Sequence, residues 1–167
     1  MLQPRVLLLL IFAACAALLG YGYYLQYGRG LEPCPLCIFQ RVCFFASGLI
    51  ALAGALHNPD RIGMRVYGGL TLLAAIAGLV FAGRQVWLQH LPKDQVPACG
   101  PGLEYWMKTL PFTETFRKVL RGTGECAAVD WTFLGLSIAE WSLIWFALFA
   151  IGCLAVIVRA EDKAYRL

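Results

Sequence analysis

Pro33-Cys34-Pro35-Leu36-Cys37-Ile38-Phe39-Gln40-Arg41 runs without a break into an apolar stretch that ends at Leu56. The quoted residues therefore read as the mouth of a membrane-spanning helix that carries a Cys-x-x-Cys pair. Pro35 suits the first helical turn, where its missing N–H has no carbonyl to serve. Cys34 then falls at or near the N-cap, with Cys37 inside the first turn. Unpaired backbone N–H groups and the positive end of the helix dipole favour negative charge on sulfur there. Arg41 lies one turn beyond Cys37 and two beyond Cys34, so all three share a helical face. Two thiols beside a fixed cation, at the edge of a low-dielectric medium, suit redox chemistry.

Composition points the same way. Charged residues make up 14% of the 167-residue chain, against about 25% in soluble domains. The net charge of +4 is scattered over several loops, with none of the basic clusters that bind nucleic acid. Val6 to Leu25 carries no charge and can cross a hydrocarbon core of roughly 30 Å. A cleaved signal would be cut around Ala13-Ala14-Cys15, yet the apolar run continues to Tyr21, Tyr23 and Tyr24, an interfacial belt. Further spans are expected at about 38–56, 66–88 and 138–158, after a first at about 6–25. The expected fold is an all-α integral membrane protein, a four-transmembrane-helix bundle forming one membrane domain over 1–167. Ser47, Ala51 and Ala55, and likewise Ala74, Gly78 and Ala82, recur at the spacing that lets helices approach closely; loose packing against lipid would explain them equally. Ser137-x-x-Glu140 is a capping box for the last span.

Loops at about 26–37 and 89–137 share one side of the membrane, and the turn at about 57–65 faces the other. In the long loop, Phe112, Phe116, Val119 and Leu120 keep helical spacing opposite Glu114, Arg117, Lys118 and Arg121. This is an amphipathic helix, lying on the membrane surface or packed on a small loop core. Arg5, Arg61, Arg65, Arg159, Lys163 and Arg166 crowd short segments on the opposite side, which orients both termini to the cytoplasm. Cys34, Cys37, Cys99 and Cys126 then face the oxidising compartment, where disulfides persist.

The seven cysteines divide by position. Cys15, Cys43 and Cys153 lie within apolar helices and read as small hydrophobes. The other four admit three readings. A zinc site needs converging ligands; one Cys-x-x-Cys pair is present, His57 falls on the far side, and His90 has no partner at helical spacing. No metal is expected. Covalent haem would require His where Ile38 stands. Purely structural disulfides remain open, although a Cys-x-x-Cys bridge closes too small a loop to restrain much chain and is usually kept for exchange. Arg41 could merely snorkel, but its place on the cysteine face favours a role in the site.

Cys34-x-x-Cys37-Ile38-Phe39-x-Arg41 opening the second of four helices, a lone Cys99 early in the long loop, and Cys126 followed by Trp131-Thr132-Phe133-Leu134-Gly135-Leu136 together resemble the bacterial disulfide bond formation protein B (DsbB) family over almost the whole chain. The resemblance implies an inner-membrane thiol–quinone oxidoreductase that reoxidises a periplasmic DsbA-like dithiol protein. It implies disulfide pairs Cys34–Cys37 and Cys99–Cys126. Cys99 would form the mixed disulfide with the partner, and Cys126 would be released. Cys34–Cys37 would reoxidise the loop pair, with Cys37 passing electrons to ubiquinone or menaquinone near Arg41. Some members place a quinone-contacting His at the outer end of the third helix. Gln85 stands there in this chain, with His90 one turn later, so Gln85, Arg84, His90 or none of them would serve. A paralogous thiol oxidase for a dedicated partner, and a scaffold stapled by its four loop cysteines, are the alternatives.

Overall fold

The computed structural model describes residues 3–92, 94–100 and 102–162; Lys163 and Arg166 of the basic set lie outside them. Four helices are long and apolar enough to cross a membrane: α1 (Pro4–Arg29), α2 (Pro35–His57), α3 (Arg61–Gln89) and α7 (Ile138–Asp162). The molecule is a multi-pass membrane protein built as a four-helix bundle. α3 packs chiefly against α7 and α2, and α1 against α2.

Each long helix has a recognisable stop or start. α1 extends past the apolar run through Tyr27 to Arg29, where Gly30 takes the left-handed conformation and donates its N–H to Leu25. Asn58 ends α2 in the same way. The Ser137 N–H donates to Glu140 Oε2 at 2.7 Å, and the Glu140 N–H donates to Ser137 Oγ at 3.3 Å. This reciprocal pair is the capping box read from the sequence.

Small residues set the helix spacing. Ser47, Ala51 and Ala55 on α2 have no accessible surface. On α3 the buried line is Thr71, Ala75, Gly78 and Ala82, one residue out of step with Ala74 at its start. A Cβ on Gly78 would meet the Phe146 ring of α7 at 2.3 Å, and Phe146 stacks on Phe44 of α2 at 4.0 Å. Val42, Phe45, Leu49, Leu73, Val80 and Ile151 point outward and stay exposed, as expected of a surface whose solvent is lipid.

The long loop holds more structure than the single helix the sequence suggested. The amphipathic element is α5 (Phe112–Arg121), flanked by α4 (Leu103–Thr109) and α6 (Gly124–Ala127). Val119 and Thr115 are buried, Phe116 packs edge-on against Phe39 of α2 and Phe81 of α3, and Phe112 is exposed, so the helix packs on the bundle through one stripe. β1 (Thr132–Phe133) and β2 (Leu136–Ser137) form a two-residue hairpin, with Thr132 opposite Ser137. Its central residues, Leu134 and Gly135, both have positive φ, the geometry that matches the twist of a tight hairpin.

Gly78→Ala should lower the thermal midpoint of detergent-solubilised protein by several degrees, from overpacking worth about 2 kcal/mol. Gly69→Ala, where an added Cβ meets nothing within 4 Å, should leave the midpoint unchanged or slightly raised. Differential scanning fluorimetry compares the two.

Candidate functional site

Cys34 is the N-cap of α2, in extended conformation, and Pro35 occupies the first helical position. The cap is a sulfur: Cys34 Sγ accepts the backbone N–H of Cys37 at 3.4 Å. The same turn brings the two sulfurs to 3.2 Å. Cys34 is buried, and Cys37 is half-buried.

Gln85 reaches this pair from α3. Its Nε2 donates to Cys37 at 3.2 Å and to Cys34 at 3.5 Å. Its Oε1 accepts from Gln40 Nε2 at 2.7 Å and lies 3.4 Å from the Cys37 sulfur. Residue spacing alone assigns Gln40 no role. A lone amide one turn past a Cys-x-x-Cys, inside a membrane span, is the signal that could have found it.

Cys126 arrives from the loop. It is fully buried at the end of α6, which packs against α2, and the Cys34 thiol and the backbone N–H groups of Leu36 and Thr123 act on its sulfur. Thr123 Oγ1 stands 3.6 Å away. The Cys34 donor is the largest influence and, with the other donors, outweighs burial; together they lower the Cys126 thiol to about 6. Cys34 is raised in turn, by holding its proton toward Cys126 and Cys37 and by burial. Cys34 thus favours the thiol form and Cys126 the thiolate form.

Cys99 is exposed. Its sulfur lies against Gly124, where an added Cβ would come to 3.0 Å. Every one of the seven cysteines is a free thiol in this structure. Beside Cys99, a cleft of about 400 Å³ is lined by Arg84, Lys118 and Arg121 together with Ala98 and Gly100. Arg84 is fixed there by donating to the carbonyls of Leu120 at 2.9 Å and Arg121 at 2.8 Å.

Arg41 lies one turn deeper than Cys37. It donates to Gln26 Oε1 and to the Gly22 carbonyl of α1, the latter at 3.2 Å, and sits 5.1 Å from the Tyr23 ring centre. Arg41, Cys34, Cys37, Gln40 and Gln85 all open onto one cavity of about 340 Å³. Its remaining wall is largely apolar and aromatic, with Leu18, Tyr21, Phe44, Trp131, Trp141 and Trp145. Its volume is in the size range of small-ligand sites. His90 does not line it: its Nδ1 lies 2.8 Å from the Val86 carbonyl, on the exposed end of α3.

Comparison with known proteins gives a consistent result. A family model described as disulfide bond formation protein DsbB matches residues 4–156. Proteins named disulfide bond formation protein B from Hahella chejuensis and Azoarcus sp. are each 54% identical to this chain. The first match covers 87% of this chain and 88% of the relative; the second covers 85% of each. One from Stutzerimonas stutzeri is 48% identical over 95% of this chain and 98% of its own length.

In the fully reduced protein, thiolate ultraviolet absorbance should show a step near the lowered Cys126 value of about 6. Cys34→Ala removes the main donor and should move that step up toward the ordinary thiol range of about 8.5. A profile with no step below that range in the parent protein would contradict the assignment.

Proposed function

The chain belongs to the DsbB family and is a disulfide-forming membrane protein, and from that premise we propose that it is a thiol–quinone oxidoreductase of the bacterial inner membrane. Its electron donor would be a DsbA-like dithiol protein on the side of the cysteine loops. The arginines Arg5, Arg61, Arg65 and Arg159 at the opposite helix ends support cytoplasmic termini. The observation that carries the reading is the meeting of loop and helix cysteines: α6, with Cys126, packs against α2, Cys34 acts on the Cys126 thiol, and Cys34 lies 3.2 Å from Cys37.

In the proposed relay, Cys99–Cys126 and Cys34–Cys37 start as disulfides. A partner thiolate attacks Cys99, drawn by the positive cleft of Arg84, Lys118 and Arg121, and Cys126 leaves as a thiolate. Its lowered pKa makes it a good leaving group, and its place against Cys34 makes it the next nucleophile. Cys126 attacks Cys34 and releases Cys37. The partner's second thiolate then closes the partner's own disulfide and frees Cys99. Cys99 in turn closes on Cys126, which releases Cys34 and leaves a Cys34, Cys37 dithiol. Two electrons and two protons have moved from the partner to that pair.

The cavity beside Cys37 suits ubiquinone or menaquinone, which when bound supplies a lipid-soluble two-electron, two-proton oxidant. Arg41, anchored to α1 by Gln26 and Gly22, provides a fixed positive charge where negative charge develops. The aromatic wall and the hairpin residues Trp131 and Phe133 limit access of water. Cys37 stands on that wall and Cys34 beside it, so the disulfide re-forms at the cavity surface. A donor of about −120 mV needs a stronger oxidant than a glutathione pool near −200 mV, which agrees with a quinone acceptor.

The purified protein should oxidise a reduced DsbA-like protein while reducing added quinone in equal amount. Cys126→Ala should stop turnover and accumulate a mixed disulfide through Cys99, identified by mass. Arg41→Ala should raise the quinone KM roughly tenfold while leaving the thermal midpoint nearly unchanged. Absence of partner oxidation with quinone present, or a mixed disulfide through Cys34 instead, would refute the relay.

A further inference from the structure

We infer that Gln40 and Gln85 form an amide pair that serves the reacting sulfurs: Gln85 contacts them and Gln40 orients Gln85. The inference takes its purpose from the relay above, but its test does not depend on quinone or partner. Gln40 and Gln85 are 2% and 4% exposed in otherwise apolar helices. A buried amide there is costly unless its donors and acceptors are met. One hydrogen bond, Gln40 Nε2 to Gln85 Oε1 at 2.7 Å, would be enough to tie α2 to α3. The structure shows more than that tie. Gln85 Nε2 is directed at both sulfurs, at 3.2 Å from Cys37 and 3.5 Å from Cys34.

The Cys37 sulfur lies near both ends of the amide, 3.2 Å from Nε2 and 3.4 Å from Oε1. A thiolate can accept from Nε2, and a thiol can donate to Oε1, without any change of rotamer. The amide thus meets Cys37 in either protonation state, as a group that gains and loses a proton in each cycle requires. This depends on which way the amide faces. Reversed, it would present oxygen to both sulfurs and repel a thiolate. Gln40 opposes the reversal, because its N–H donates to Oε1 and would otherwise face Nε2. Gln40 touches neither sulfur by any hydrogen bond in the structure, so it is a positioning residue.

Donors aimed at sulfur stabilise the reduced pair more than the neutral disulfide, and so raise its reduction potential. The half-reaction is the disulfide plus two electrons and two protons giving two thiols. A higher potential makes Cys34–Cys37 a better acceptor for electrons arriving from Cys126.

The test equilibrates the full chain, purified without quinone or partner, in glutathione or dithiothreitol redox buffers. The Cys34–Cys37 state is read by alkylation and peptide mass. Gln85→Met should shift the equilibrium toward the disulfide about tenfold, which is roughly 30 mV for two electrons. Gln40→Met should shift it about threefold in the same direction. The double variant should match Gln85→Met alone, because Gln40 acts through Gln85. Unchanged equilibria with lowered thermal midpoints would show mere helix pairing and overturn the inference. Additive effects would overturn the orienting role of Gln40. Failure of the relay would show differently, as these shifts intact but no oxidation of a partner.

Discussion

A sulfur where a helix normally carries an oxygen cap is the constraint that the rest of the structure serves. Cys34 accepts the N–H of Cys37 at the start of α2, and one bond fixes three things. It holds the two sulfurs of the pair within reach of each other. It sets both in the positive field of the helix start. It also leaves the Cys34 sulfur where it acts on the Cys126 thiol. Pro35 suits the position after this cap, where its missing N–H would have had no partner and its fixed φ is already helical. The small residues along α2 and α3 then bring Gln85 close enough to complete the sulfur environment.

Burial sets the sulfurs apart. Cys99 is exposed, Cys126 and Cys34 are buried, and Cys37 opens on the largely apolar cavity. Thiolates gain reactivity from donors and cations but lose it to desolvation. Here each buried sulfur has donors to offset its burial: Leu36 and Thr123 for Cys126, and Gln85 for Cys37. Arg41 stays out of the sulfur contacts. Its hydrogen bonds go to α1, which holds it on the cavity wall rather than in an ion pair that would spend its charge.

Much of the architecture was legible because lipid leaves a coarse signature. Long uncharged runs and tyrosine belts mark spans without any knowledge of packing, and the Ser137–Glu140 box marks a boundary by local chemistry alone. Cys34, Cys37, Cys99 and Cys126 were separable from Cys15, Cys43 and Cys153 by where they fall relative to those runs. Other features had no local trace. α4 and α6 are too short for periodicity to register, and the hairpin turn places a Leu, not a favoured turn residue, at positive φ. The approach of Cys126 to Cys34 is a product of tertiary folding across the whole loop. Gln40 was hidden for a different reason: one amide in an apolar helix is uninformative until its partner on α3 is seen. Gln85 and His90 could not be ranked from spacing either, yet one is buried against sulfur and the other faces outward from the helix end.

The central claim is that loop and helix exchange electrons through direct contact of two sulfurs, Cys126 and Cys34. A chain carrying Cys37→Ser and Cys99→Ser leaves only these two sulfurs at the site, and mild oxidation of that protein in its membrane tests the contact. The account predicts rapid, near-complete closure of a Cys34–Cys126 disulfide, seen by peptide mass, at low protein concentration. Two free thiols that persist under those conditions, or bridges only between separate chains, would contradict it.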